Sequence, residues 1–566
     1  MAENIKITEI ETLNQMLCIN ARRYSLRKAF LYKDENGETG YISYRRFYRN
    51  VKSFGTALLK KLQLSGKKIA LCAQNSYEWC VSYFAVCGSG NIVVPLDREI
   101  IFEEMLNVFS FAGIDAIIVD EKVAKRLMDN RDMLPENLIL IMIGEQSYEN
   151  FFSYNLLLAE GKSLLDNGCV DYENVEIDPD ETAVLLFTSG TTGMAKAVML
   201  SNRNICSDLM SVCERVSVNY DDSTLCILPL HHAYQSIIML TVIYIGGSVS
   251  FCQGIRHISE DLNFYKPTVF VSVPLILEKM HSKIVKKLSE QSGIKRAFTV
   301  GKASALLAKI SSNDVKKHLY SSVHEAFGGS LRMIIVGGAM MSAEIALDYE
   351  AFGFPVIIGY GLTECSPIII CNSSDDAKPD GIGKPVSTAK AYIDKPDENG
   401  VGEIVVSGPM VMLGYYNNEE ETQKVLRDGW LYTGDLGYVD SERNYHITGR
   451  SKNIIVAKNG KNVYPEELEY YLNNEPMVLE SLIFADSVKE DEVVTAEVVP
   501  DEQAIKDELQ KEKLSKSDIH DAISSVIKRI NRKLPSYKNI KRINIRENEF
   551  EKTSTQKIKR PSKNDK

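Results

Sequence analysis

The sequence predicts an α/β protein: a large N-terminal domain of layered βαβ sheets covered by helices, followed by a small α+β C-terminal domain. Three observations carry that expectation. From about Lys67 to Arg450, short apolar β-branched runs alternate with helical patterns, as in parallel strands joined by crossover helices. After Arg450 the pattern shortens and changes character. At 566 residues the chain also exceeds what a single hydrophobic core supports. The division falls near GRSKN, Gly449 to Asn453, giving domains 1–450 and 451–566.

In chain order, KIALCAQ reads as a strand, Tyr77–Gly88 as a helix, NIVVPLD as a strand, and DAIIVD as another after a second helix. A further set follows in TAVLLFTSG, STLCILPL, SVSFC, PTVFVSV, LRMIIVGG and FPVIIGYG. Beyond the division, VYPEELEYYLNNEP is an amphipathic helix with Pro465 in its first turn, where the missing N–H costs nothing. DEVVTAEVVPD is a strand, KSDIHDAISSVIKRINRKLP a helix ended by Pro535, and KRINIRE a strand before a charged tail. There is no fixed-period repeat.

Composition narrows the function. With 44% hydrophobic residues, 25% charged residues and a net charge of -10, the chain has no broad basic face, so no nucleic-acid partner is expected. A nucleotide would instead be held by local donors and a divalent cation. The eleven cysteines are scattered without a CxxC pair, which reads as reduced thiols in a cytoplasmic protein. MAENIKITEIETLNQ has no apolar core of a signal peptide. SIIMLTVIYIGG, the most apolar run, is too short to span a bilayer and reads as a buried helix end.

The stretch FTSGTTGMAKAVML, Phe187 to Leu200, follows a buried strand with glycines and hydroxyls. In such a loop, successive backbone N–H groups converge on an anion while Thr188, Ser189, Thr191 and Thr192 add donors and Lys196 adds charge. The alternative is a flexible surface turn. It is not a Walker A loop, because GxxxxGK[ST] is absent. The segment resembles the signature loop of the adenylate-forming superfamily, and further motifs appear in family order. These are LPLHHAYQ (Leu228 to Gln235), VGGAMMS (Val336 to Ser342), YGLTECSP (Tyr360 to Pro367), YTGDLGYVD (Tyr432 to Asp440), ITGRSKNIIVAKNGKNVYPEELE (Ile447 to Glu469) and KTSTQKIKR (Lys552 to Arg560). The chain is most similar to the long-chain fatty-acid–CoA ligases of that superfamily.

The resemblance implies an AMP-forming ligase working in two steps: a carboxylate and ATP give acyl-AMP and pyrophosphate, and a thiol then displaces AMP. It implies that Thr188, Ser189, Gly190, Thr191, Thr192, Gly193 and Lys196 hold phosphates. Alanines flank Lys196 where the family commonly has proline and glycine. Tyr360 would face adenine, Gly361 allow close approach, Thr363 bind the α-phosphate and Glu364 ligate Mg²⁺. Gly338 and Ala339 would border the adenine and carboxylate sites, and His232 would gate the acid. Asp435 would accept the ribose hydroxyls, Arg450 touch ribose or phosphate, and Ile447 lie against the base. An isolated Asp–Arg combination would otherwise read as a surface ion pair.

Lys557 is the implied catalytic cation, bridging carboxylate and α-phosphate, although seen alone it would belong to a solvated basic tail. The resemblance also implies that the small domain is mobile: it rotates about a hinge at Lys452 and brings Lys458 and Gly460 to the thiol entrance. Between Leu225 and Gly247 no acidic residue is available to pair with a substrate ammonium, so an acid without an α-amine is favoured, and the long-chain resemblance implies that it is fatty or otherwise apolar. VSVPLILEKM and the helix-rich run between Met280 and Leu331 match the long-chain branch. The expected cofactors are ATP, Mg²⁺ and coenzyme A. Acyl carrier protein as acceptor, an aryl acid as substrate, and a non-catalytic nucleotide-binding relative are the competing expectations.

Overall fold

The computed structural model describes residues 7–145, 148–188, 196–289, 313–374, 378–456, 462–488, 491–552 and 558–560. Two large sheets dominate its N-terminal part. One has eight strands in the order 414–415, 196–201, 182–188, 92–95, 68–72, 116–120, 139–143 and 151–153. Its centre is parallel, and its one edge turns antiparallel through the hairpin Thr182–Thr188 and Lys196–Ser201. The other sheet has nine strands and a parallel centre of Ser223–Cys226, Ser248–Phe251, Val269–Ser272, Met333–Val336 and Val356–Gly361.

Between the sheets lie the helices Asn202–Arg215 and Ala233–Tyr244. The second is buried from Gln235 through Tyr244, which accounts for the absence of any polar face in SIIMLTVIYIGG. A helix apolar all round is one enclosed by protein. The helix Tyr77–Gly88 stands where the sequence places it, started by the Ser76 hydroxyl, which accepts from the Trp79 N–H at 3.1 Å. No helix among the described residues is long and apolar enough to cross a membrane.

The expected βαβ alternation ends earlier than Arg450. From Lys390 to Arg450 the chain forms an antiparallel sheet of five strands with one short helix, Glu419–Val425. The connections explain the change. Lys390–Asp394 and Gly402–Ser407 are joined by a turn through Gly400, whose φ is 78°, and a parallel return would need a dozen or more residues.

The C-terminal residues build their own core from Ile455, Val463, Leu468, Leu472, Ile483, Ala496, Val498, Ile523 and Val526, among others. A three-stranded sheet of Val478–Val488, Asp491–Pro500 and Arg542–Ile545 packs there against the helices Pro465–Asn473 and Lys516–Asn531. The molecule is therefore a large α/β body with a smaller α+β body after it.

Candidate active site

At the open end of the hairpin, Thr188 stands opposite Lys196, and its hydroxyl donates to the Lys196 carbonyl at 3.3 Å. Strand pairing thus brings together the two described residues that flank the glycine-rich loop. Ser189, Gly190, Thr191, Thr192 and Gly193 lie outside the described residues. The Lys196 ammonium meets Glu421 at 2.5 Å and lies 4.9 Å from the centre of the Tyr415 ring.

The strand Val356–Gly361 delivers Tyr360 and Gly361, and the one-turn 3-10 helix Thr363–Cys365 follows with Thr363 and Glu364. Glycine is required at 361 because a Cβ there would stand 1.6 Å from the Pro367 carbonyl oxygen. Glu364 is half-buried, and its Oε1 accepts from the Tyr415 hydroxyl at 2.8 Å. Among the described residues, no group of three or more His, Cys, Asp or Glu side chains could hold a metal by itself. One hard carboxylate fits a Mg²⁺ that arrives with substrate phosphates and keeps several waters, as that ion usually does.

Asp435 is the most enclosed charged group of the site, 5% exposed. Antiparallel pairing sets it directly opposite Arg450. The Arg450 Nε lies 2.8 Å from Asp435 Oδ1, and the Tyr360 hydroxyl donates to Oδ2 at 2.8 Å. Burial pushes the Tyr360 phenol well up, with the Asp435 charge adding to it, and the same charge raises the Arg450 guanidinium. Tyr360 thus spends its hydroxyl on the carboxylate beside it. Asp435 keeps lone pairs for a further donor, since a carboxylate offers about four acceptor sites. Ile447 lies in the same strand as Arg450, half-buried and paired with Gly437.

His232 is the residue before the helix Ala233–Tyr244. Its ring lies 4.1 Å from that of His231, whose Nε2 is 3.7 Å from Asp97 Oδ2. Burial lowers the His231 pKa against the opposing pull of Asp97. Tyr234, inside LPLHHAYQ but given no role there, ties that motif to VSVPLILEKM and to the strand that leads into VGGAMMS. Its hydroxyl reaches the Ser272 and Ile335 carbonyls, each at 3.4 Å. A Cβ on Gly337 would come within 3.3 Å of the Tyr234 ring and 3.1 Å of the Gly359 carbonyl. Gly338, at φ 85°, and Ala339 follow as exposed residues.

A small apolar cavity of about 20 Å³ lies along this helix. Ala233, Ser236, Ile237 and Leu240 line one side, and Val184, Leu186, Leu200 and Ile205 the other, with Tyr83 and Ser366 also in the wall.

Lys452 sits exposed in the turn Ser451–Asn453 between the two bodies. Lys458, Gly460 and Lys557 lie outside the described residues. Residues flanking Lys557 are described: Lys552 pairs with Glu480 and with Glu549, and Arg560 with Glu469.

Comparison with known proteins places this arrangement. The family model described as AMP-binding enzyme matches residues 19–416, and that of the AMP-binding enzyme C-terminal domain matches 452–566. A chloroplastic long-chain-fatty-acid–[acyl-carrier-protein] ligase of Arabidopsis thaliana is 28% identical, over 76% of this chain and 68% of its own. Fatty acyl-CoA synthetase B of Dictyostelium discoideum is 26% identical, over 85% and 76%. Among solved structures, an anthranilate CoA ligase in complex with anthranoyl-AMP superposes with a TM-score of 0.76 at 20% identity, covering 99% of this chain and 97% of its own. The O-succinylbenzoate CoA synthetase of Bacillus subtilis, in complex with AMP, gives 0.72 at 21%, covering 96% of each. With both family models matched in order, and Tyr360, Asp435 and Arg450 joined at one site, the chain belongs to the AMP-binding enzymes, the adenylate-forming ligases.

Proposed function

We propose that this ligase activates a fatty acid as acyl-AMP, releasing pyrophosphate, and then transfers the acyl group to coenzyme A. The small cavity along the helix Ala233–Tyr244 carries the reading, because its wall is mostly aliphatic and, once widened by an entering acid, would suit a hydrocarbon chain. The names of the Arabidopsis and Dictyostelium relatives point the same way. Within this reading, His232 admits the carboxylate, and the chain lies between Ala233–Leu240 and the Val184–Leu200 hairpin. Asp435 accepts the ribose hydroxyls while Arg450 and Tyr360 hold its carboxylate in place. Tyr360 and Ile447 bound the base, and Gly338 and Ala339 line its slot.

A carboxylate oxygen attacks the α-phosphorus as the bond to pyrophosphate breaks. Thr363 binds the α-phosphate, Lys196 and the loop Thr188–Gly193 take the pyrophosphate, and Lys557 bridges carboxylate and phosphate. Mg²⁺ held by Glu364 would supply charge neutralisation of the phosphates. Rotation at Lys452 then exchanges Lys557 for the face carrying Lys458 and Gly460. The thiol sulfur bonds to the acyl carbon, AMP leaves, and the thiol proton passes to solvent.

Acid-dependent pyrophosphate release with Mg·ATP, across fatty, aryl and amino acids and with or without coenzyme A, tests the proposal. The expected result is release with fatty acids, acyl-CoA as product, and a loss of roughly a hundredfold or more in Lys557→Ala. Release without acyl-CoA would move the acceptor to acyl carrier protein, as in the Arabidopsis relative's name. Preference for aryl acids would overturn the fatty substrate. No release with any acid would return the chain to nucleotide binding without catalysis.

A further inference from the structure

The segment 409–425 straps the phosphate hairpin to the YGLTE turn. Leu413 N–H donates to the Met199 carbonyl at 3.0 Å and Tyr416 N–H to the Ala197 carbonyl at 2.8 Å. On the other side, Met412 N–H donates to the Glu364 carbonyl at 2.9 Å. The short helix that ends the strap, Glu419–Val425, is capped by Asn418, whose side chain accepts from the Glu421 N–H at 3.1 Å. Its Thr422 hydroxyl accepts from the Tyr415 N–H at 2.9 Å. The strap is therefore fixed at both ends, and so is the carboxylate that it carries into the site.

That carboxylate is Glu421. One oxygen meets Lys196 at 2.5 Å and the other meets Lys424 at 2.7 Å. Lys196 is the cation at the mouth of the phosphate loop, and its side chain is only 26% exposed. We propose that Glu421 is an internal counter-ion that occupies Lys196 whenever phosphate does not, so that it competes with the polyphosphate and speeds pyrophosphate release. This rests on the assignment of the Thr188–Lys196 loop to phosphate.

The physical case is one of charge and place. An ammonium facing a fixed carboxylate in a half-buried site is held at short range, where attraction is only partly screened. An incoming pyrophosphate must draw Lys196 away from Glu421 or share it. Departing pyrophosphate leaves a lysine that is immediately re-paired, which lowers the free energy of the emptied site. Lys196 and Lys424 together hold the Glu421 carboxyl down at about 2, so the counter-ion is charged throughout the neutral range. Tyr415 keeps the two halves in register, with its hydroxyl on Glu364 and its ring beside Lys196.

The test is equilibrium binding of pyrophosphate and of ATP, each with and without Mg²⁺, by titration calorimetry on the full chain. Glu421→Gln keeps the size of the side chain and removes its charge. It should tighten pyrophosphate binding by roughly three- to tenfold, with the gain shrinking as salt rises. In single turnover, pyrophosphate should leave the variant more slowly. Lys196→Ala is the companion: in that background, Glu421→Gln should change binding by less than about twofold, because the two residues act through one contact. Unchanged or weaker pyrophosphate binding in Glu421→Gln would overturn the competition and leave Glu421 as a structural brace. The loop assignment fails by a different signature: in that case Lys196→Ala alone leaves the ATP and pyrophosphate affinities of the wild type unaltered.

Discussion

Gly361 shows how closely single atoms constrain this site. The chain folds back after Glu364 so tightly that the Pro367 carbonyl would lie 1.6 Å from a Cβ at 361. A methyl group there must displace backbone, not a flexible side chain, and overpacking of that kind costs on the order of 1–3 kcal/mol or more. Gly361→Ala should therefore lower the denaturation midpoint by an amount equivalent to about 2 kcal/mol, measured by chemical unfolding of the N-terminal body. A midpoint unchanged from wild type would show that the turn can open without cost. The glycine was legible in the sequence as a position needing close approach, but the group it approaches was not. The same holds for Asp435 and Arg450, legible as separate motif residues, whereas their direct pairing follows from strand register. Tyr415 and Glu421 were not legible at all. They lie 51 residues from Glu364 and 225 from Lys196, and contacts at such separation leave no local pattern in the chain.

Elements carry charge as well as shape, and the helix Pro465–Asn473 shows this. Its Glu466 and Glu469 both face Arg560, so one arginine beside the Lys557 segment is held by two carboxylates of one helix turn. Burial dominates at Glu469 and pushes its carboxyl up to about 7, against the opposing pull of Arg560. The raised value sets the sign of a pH effect. Between the ordinary carboxylate range near 4.5 and about 7, the folded state holds a proton that the unfolded state has released. Stability contributed by this group therefore falls as pH rises through that window and is constant above it. Glu469→Gln cannot lose a proton, so the wild type should lose roughly 1–3 kcal/mol relative to the variant from pH 5 to 7. Parallel urea midpoints of the two proteins would assign the effect elsewhere. The helix itself was legible from its apolar spacing and Pro465. The antiparallel sheet from Lys390 to Arg450 was less so, because edge strands with short turns give weaker periodicity than buried parallel strands.

Across the whole molecule, the two bodies have separate cores, and the turn Ser451–Asn453 joins strand Tyr445–Arg450 to the C-terminal core at Ile455. Among the described residues, polar contacts also join the two bodies. The Tyr470 hydroxyl accepts from the Ala343 N–H at 3.3 Å, and Glu466 approaches Gly449 so closely that a Cβ there would lie 2.7 Å from its Oε2. Arg560 lies 3.6 Å from Glu466, the same carboxylate that approaches Gly449. Lys452 occupies a 3-10 turn, and the φ range of such turns overlaps that of proline. Lys452→Pro fixes φ at the turn and should resist exchange of the present arrangement for another. Acyl-AMP formation should survive within about threefold, while thioester formation from enzyme-bound acyl-AMP falls at least about tenfold. Rapid-quench measurement of each half-reaction separates the outcomes. Equal loss in both would mean that proline distorts the nucleotide site through Arg450, and no loss in either would place the pivot outside this turn.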